Sequence, residues 1–97
     1  MKNDANYKKY INSLVYVKRS KNRAKVITII GTSIKIPSEI AEAMNLRINQ
    51  ISAILKDLKK EELVVCLNET DRTGRLHQLT PKGLEVYKML LELKKDN

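Results

Sequence analysis

Residues 45–63 read NLRINQISAILKDLKKEEL, and their reading decides the fold. Ile48, Ile51, Leu55 and Leu58 recur at steps of three and four, which is the apolar stripe of an amphipathic helix. Arg47, Asn49, Gln50, Ala53 and Lys56 fall mostly off that stripe. A polar and basic outer face near the start of a helix suits a DNA major groove. Alone, the stretch reads more simply as an ordinary surface helix, so its neighbours carry the decision.

Just upstream lies PSEIAEAMN, residues 37–45. Pro37 fits the first helical position, and Ile40, Ala41 and Met44 form an inner face. Ile36 precedes this helix and has no side-chain acceptor to cap it. Asn45 tolerates the left-handed conformation that ends a helix and starts a tight turn. The helix at about 47–60 follows directly. Arg47 is a poor N-cap, which favours a start nearer Asn49. Two short helices joined by a turn of about three or four residues make a helix-turn-helix, with the second as the reading helix.

Downstream, LVVCL (63–67) is β-rich and apolar, NETDRTG (68–74) is turn chemistry, and RLHQLT (75–80) returns as a strand. Gly74 supplies the positive φ the hairpin needs. Thr80 caps and Pro81 opens a last helix over 81–94, with Leu84, Val86, Tyr87, Leu90, Leu91 and Leu93 on its apolar side. At the other end, residues 4–17 place Tyr7, Tyr10, Ile11, Leu14, Val15 and Val17 on a helical stripe. A break at 18–22 offers Ser20 as N-cap of a second helix, 23–30, apolar enough to be central to the core. Its β-branched residues make strand the competing reading. Gly31 ends it, and 32–36 is at most a short edge strand. The expected fold is therefore mainly α with a small β-hairpin: one domain over 1–97, with helices added before and after the helix-turn-helix and hairpin (63–80).

Composition narrows the partners. The 97 residues carry a net charge of +8. Residues 1–30 hold eight Lys or Arg against one acid, Asp4, a net of +7, and the rest is near neutral. Such an excess favours an anionic partner, nucleic acid before membrane. No apolar run reaches the roughly 18 residues of a membrane span, and no signal peptide is recognisable. One cysteine, Cys66, excludes an internal disulfide and fits a reducing compartment such as the cytoplasm. One His and one Cys cannot make a metal site. No nucleophile–base–acid set and no Gly-rich phosphate loop is present, so an enzyme and a bound cofactor are not expected. Four Tyr with no Trp or Phe argue against stacking platforms for single strands.

The chain resembles archaeal winged helix-turn-helix transcriptional regulators of the broad ArsR/MarR type. The resemblance rests on Pro37, Ser38, Glu39, Ile40 and Ala41, on the run from Ile51 to Leu58, on Leu63-Val64, on Gly74-Arg75, and on LTPKG at 79–83. It covers about two-thirds of the chain. In that family a Gly often stands where this chain has Asn45, and another where it has Glu62. The resemblance implies a winged helix-turn-helix fold and a double-stranded DNA-binding regulator whose wing, 68–75, reaches backbone or minor groove.

Candidate contacts follow from side-chain chemistry. Asn49 and Gln50 suit adenine, Arg47 suits guanine, and Ala53 suits a thymine methyl; each also fits water or phosphate instead. Candidates for the DNA backbone are Ser38, Ser52, Lys56, Lys60, Thr73, Lys21 and Arg23 and, as the resemblance implies, the wing residues Arg72 and Arg75. The basic residues of 18–25 read equally as a solvated face. Tyr7, Tyr10, Ile11, Leu14, Tyr87, Leu90 and Leu91 are candidates for a homodimer contact, which would set two reading helices about 34 Å apart. A monomer that packs both terminal helices on its own core is the other reading. The alternative function is a winged-helix module that binds another protein of the transcription machinery with little or no DNA reading. No effector ligand can be read from the sequence.

Overall fold

The computed structural model describes residues 4–95, with side chains described for 8–94. Five helices and one hairpin follow in the order α1 (Asp4–Lys18), α2 (Lys21–Ile30), α3 (Pro37–Met44), α4 (Ile48–Lys60), β1 (Val64–Cys66), β2 (His77–Leu79) and α5 (Pro81–Lys95). This is a winged helix-turn-helix.

The centre is α2, which packs against α1, α3, α4, α5 and β2. Ser20 caps it, accepting from the Arg23 N–H at 3.3 Å. Val26, Ile27 and Ile30 are buried, and their burial outweighs the weak helix preference of β-branched residues. The segment is helix, not strand. Gly31 ends it at φ +50, with its N–H bonded to the Ile27 carbonyl. The other core residues converge on α2: Leu14 and Val17 from α1, Ile40 and Ala41 from α3, and Ile51, Leu55 and Leu58 from α4. Val86, Met89 and Leu90 of α5 close the far side.

Both helices of the helix-turn-helix stop the same way. Asn45 has φ 55 and Glu62 has φ 59, the two positive-φ residues other than glycine in the described chain. At each, the following N–H reaches back over the last turn, Leu46 to the Ala41 carbonyl and Leu63 to the Leu58 carbonyl, both at 3.0 Å. These are Schellman-type stops. They stand at the two positions where the family resemblance leads one to expect glycine. Asn tolerates the left-handed region; Glu pays a steric cost there of about 1 kcal/mol. Glu62→Gly is therefore expected to raise stability by about 1 kcal/mol in urea unfolding. A variant no more stable than wild type would show that the Glu62 side chain offsets its backbone strain.

The start of α4 differs from expectation. It begins at Ile48, with Arg47 in the N-cap position. The Arg47 N–H donates to Gln50 Oε1 at 3.1 Å. That is half of a capping box, since an Arg side chain has no acceptor for the other half. At α3 the Ile36 N–H likewise donates to Glu39 Oε1, at 3.0 Å.

The hairpin is antiparallel, pairing Val64 with Leu79, Val65 with Gln78 and Cys66 with His77. Residues 32–36 do not form a strand. Only Lys35 pairs, bridging to His77 through bonds of 2.9 and 2.8 Å. The hairpin is tied to both flanking helices by Thr80. Its hydroxyl donates to the Glu62 carbonyl at 2.7 Å and accepts from the Gly83 N–H at 3.0 Å, capping α5.

Candidate nucleic-acid interface

α4 turns Ile51, Leu55 and Leu58 inward, each at most 1% exposed. Arg47, Asn49, Gln50, Ser52, Ala53, Lys56 and Lys60 lie on its exposed side. Ile48, in line with that stripe, is not part of the core: it is 54% exposed. The first turn of α4 reaches past the core, so Ile48 sits at the rim of a cleft instead.

That cleft, about 350 Å³, lies between the helix-turn-helix and the wing. Ser38 comes from the start of α3, Ser52 from α4, and Arg72, Thr73 and Arg75 from the wing. Five residues chosen separately from the sequence as backbone contacts thus line one hollow. Two hydroxyls from helices and two guanidinium groups from the wing face the same space. Such a set brings O–H and N–H donors to a place where a phosphate would supply acceptors, beside the apolar Ile36, Pro37 and Ile48.

The wing tip is built around Asn68, which sequence reading treated only as a turn residue. Its Oδ1 accepts from the Leu76 N–H at 2.7 Å. Its Nδ2 donates to Asp71 Oδ2 at 2.7 Å and to the Gly74 carbonyl at 3.3 Å. Arg75 Nε donates to the Asp71 carbonyl at 2.7 Å. Asp71 therefore organises the loop that carries the arginines. Gly74 has φ 62, the positive value expected of it. An ion pair at 3.6 Å between the half-buried Lys59 and the exposed Glu69 links the end of α4 to the wing.

Two expected backbone contacts lie elsewhere. Arg23 is held at the α1–α2 junction: its Nη1 donates to the Tyr16 carbonyl at 2.7 Å, and its guanidinium lies 3.9 Å from the Tyr16 ring centre. Burial raises the Tyr16 hydroxyl pKa; Arg23 opposes that, and Asp57 and Glu61 add to it. Lys21 lies on a separate groove with Lys18, Lys25 and Lys94. No sequence signal pointed to Lys94, because α5 joins α2 only in the folded chain.

Of the candidate dimer residues, Leu14 and Leu90 are buried in the chain's own core. Tyr10, Ile11 and Tyr87 pack partly against it, and Leu91 stays exposed, as does Val15 on α1. α1 packs on α5 within the chain, which uses one apolar face of each. The side chain of Tyr7 lies outside the described residues.

Cys66 and His77 are both buried, as a cross-strand pair. Burial lowers the His77 pKa; a bond from Nδ1 to the Arg75 carbonyl at 3.1 Å works the other way. That bond requires the proton on Nδ1 of the neutral ring. The unfolded chain then takes up the His77 proton first as pH falls through about 6.5. Stability is expected to be level above that pH, to decline below it, and to stop declining once the folded ring is protonated. Thermal melts between pH 7.5 and 5.5 would read this. His77→Gln should flatten that window; an unchanged slope would assign it to other groups. Among the described residues no cluster of three His, Cys, Asp or Glu could hold a metal ion, and no helix is long and apolar enough to cross a membrane.

No protein-family model matches the sequence, and no curated protein matches it. Solved structures do. ZitR from Lactococcus lactis superposes with a TM-score of 0.70 at 20% identity, over 79% of this chain and 53% of that one. A MarR-family transcriptional regulator from Enterococcus faecalis gives 0.72 at 21% identity, over 98% and 86%. The homodimeric winged helix-turn-helix DNA-binding domain Mb0332 from Mycobacterium bovis, a possible ArsR-family regulator, gives 0.67 at 16%, over 99% and 87%. At these identities the likeness establishes the winged-helix fold. The chain spans about half the length of ZitR.

Proposed function

We propose that this chain is a double-stranded DNA-binding transcriptional regulator of the MarR/ArsR-like kind, acting without catalysis or cofactor. The α4 helix reads the major groove through Arg47, Asn49, Gln50 and Ala53. Lys56 and Lys60 take phosphates along the same helix. Ser38, Ser52, Thr73, Arg72 and Arg75 take the backbone beside it, and the wing reaches backbone or minor groove. The observation that carries this is the convergence of those five residues, from α3, α4 and the wing, on one cleft beside the exposed side of α4. The solved regulators of the same fold add support.

Gln50 needs a rearrangement to read adenine with both amide atoms, because its Oε1 holds the Arg47 N–H in the free chain. Gln50→Ala is expected to weaken binding to a selected duplex by roughly tenfold and to a random duplex far less, as loss of one good base contact does. Fluorescence anisotropy on both duplexes measures it. An equal loss on both removes Gln50 as a base reader. Affinity should also fall steeply with salt; a flat response from low to moderate ionic strength counts against DNA binding altogether.

A two-fold homodimer through Leu91, Val15 and the partly exposed Tyr10, Ile11 and Tyr87 would present two α4 helices to a palindromic site. Mb0332 is described as homodimeric. Sedimentation at micromolar concentration decides between dimer and monomer. Such a regulator works where the genome is, which for the archaeal regulators this chain resembles is the cytoplasm.

A further inference from the structure

The unit that carries the reading face is almost uncharged. Residues 37–80 hold six basic side chains, Arg47, Lys56, Lys59, Lys60, Arg72 and Arg75, against seven acids, a net of −1. Residues 1–30 carry a net of +7. Most of the attraction for a polyanion therefore resides on helices outside the reading unit.

Part of that charge is gathered in one place. Lys18 at the end of α1, Lys21 and Lys25 on α2, and Lys94 near the end of α5 surround a groove of about 370 Å³. Its floor is apolar, with Ala24, Ile29 and Leu90, and no acid lines it. Among the described residues none of these four lysines takes part in an ion pair, the two pairs being Lys59–Glu69 and Lys88–Glu85. Four like charges thus border one hollow, with nothing of opposite sign among the described residues that line it.

The groove also faces away from α4. α2 turns Val26, Ile27 and Ile30 into the core it shares with α4, while Lys21, Lys25 and Thr28 lie round the other side of the helix. α4 turns Ile51, Leu55 and Leu58 into that same core and its polar residues outward. A straight duplex seated on α4 cannot also lie over the groove.

We infer that the α1–α2–α5 groove is a second nucleic-acid site, taking the phosphate backbone of a duplex segment other than the one α4 reads. The inference rests on the DNA-binding reading above. A phosphate backbone fits better than a compact anion because the charge does not end at the groove: Arg19, exposed just past the end of α1, adjoins Lys18 in the chain. A compact anion would neutralise two or three charges, whereas a backbone supplies one per about 3.4 Å of each strand, so the roughly 6 Å rise between Lys21 and Lys25 is close to two phosphate steps. Lysines act as mobile point charges, which suits contact without sequence reading. The chain would then hold two DNA segments together.

A tethered-duplex experiment tests this. A biotinylated duplex of mixed sequence is immobilised, loaded with the full chain, washed, and offered a fluorescent second duplex. The wild-type chain is expected to capture it. Lys18→Gln/Lys25→Gln/Lys94→Gln, all at exposed positions, should still load onto the first duplex, with a loss of about threefold because the net charge falls, and lose roughly tenfold or more in affinity for the second, as three lost phosphate contacts imply. Equal capture by the triple variant overturns the inference, and so does a wild-type chain that loads but captures nothing. Arg47→Ala/Lys56→Ala reports separately on the reading face. If that variant loads normally while the triple variant does not load at all, the groove is the sole DNA site, and both the two-segment inference and the α4 reading fall.

Discussion

Gly83→Ala is expected to destabilise the chain by on the order of 3 kcal/mol, although helix preference alone predicts a gain. Gly83 sits in the first turn of α5, where Ala is the better helix former by about 1 kcal/mol. Its φ is not in the left-handed region, so backbone freedom is not what it supplies. The obstacle is the neighbouring chain. A Cβ built at Gly83 overlaps the Leu63 carbonyl oxygen and comes within 3.1 Å of the carbonyl carbon and 3.3 Å of Leu79 Cβ. That carbonyl cannot swing aside cheaply. It accepts the Thr80 N–H at 3.1 Å, and Leu63 is fully buried. Relief requires α5 to lift from the hairpin, which also pulls on the Thr80 hydroxyl between Glu62 and Gly83. Overpacking against backbone costs about 1–3 kcal/mol and at rigid sites more. For a domain of this size that lowers the melting midpoint by roughly 12–24 °C. A thermal melt reads it directly; a rise in the midpoint would mean that α5 can shift without loss and that close packing there is incidental.

Gly83 also marks how far the sequence could be read. Local chemistry was legible: Ser20 and Thr80 cap the helices they precede, Pro81 opens α5, and Gly74 takes its positive φ. Each depends only on residues within one turn. The second helix of the helix-turn-helix was legible because a period of 3.6 survives in Ile51, Leu55 and Leu58. Where a residue's role depends on a distant partner, periodicity misled. Ile48 fits the stripe yet faces the cleft, because the core ends one turn short of it. Arg23 reads as a free cation in a basic run, yet Tyr16 of α1 engages it. Asn68 reads as one polar turn residue among several, and only the folded loop shows four partners around its amide: Cys66, Asp71, Gly74 and Leu76. The candidate site was legible as residue types but not as a place: nothing in the order of Ser38, Ser52 and Arg72 says that they share one cleft.

Ser52→Asp tests that shared cleft with the largest effect expected on binding. Ser52 is exposed in the second turn of α4, between the start of α3 and the wing arginines. An acid there costs the free protein little: exposed substitutions of this kind stay within about 0.5 kcal/mol, and the nearby helix N-terminus favours a negative charge. On DNA the sign reverses. The carboxylate meets phosphate and also competes with it for Arg72 and Arg75, and like charges set against each other at an interface cost several kcal/mol. Duplex affinity is expected to fall on the order of a hundredfold, with an unchanged melting midpoint and circular dichroism spectrum. Ser52→Ala, which removes one neutral hydrogen bond, should cost about fivefold or less. Because phosphates carry no sequence information, the Asp variant should lose selected and random duplexes alike, in contrast to Gln50→Ala. An Asp variant that binds within about threefold of wild type would place the duplex away from the cleft, since so small a loss is under 1 kcal/mol. The wing would then serve only to brace α4.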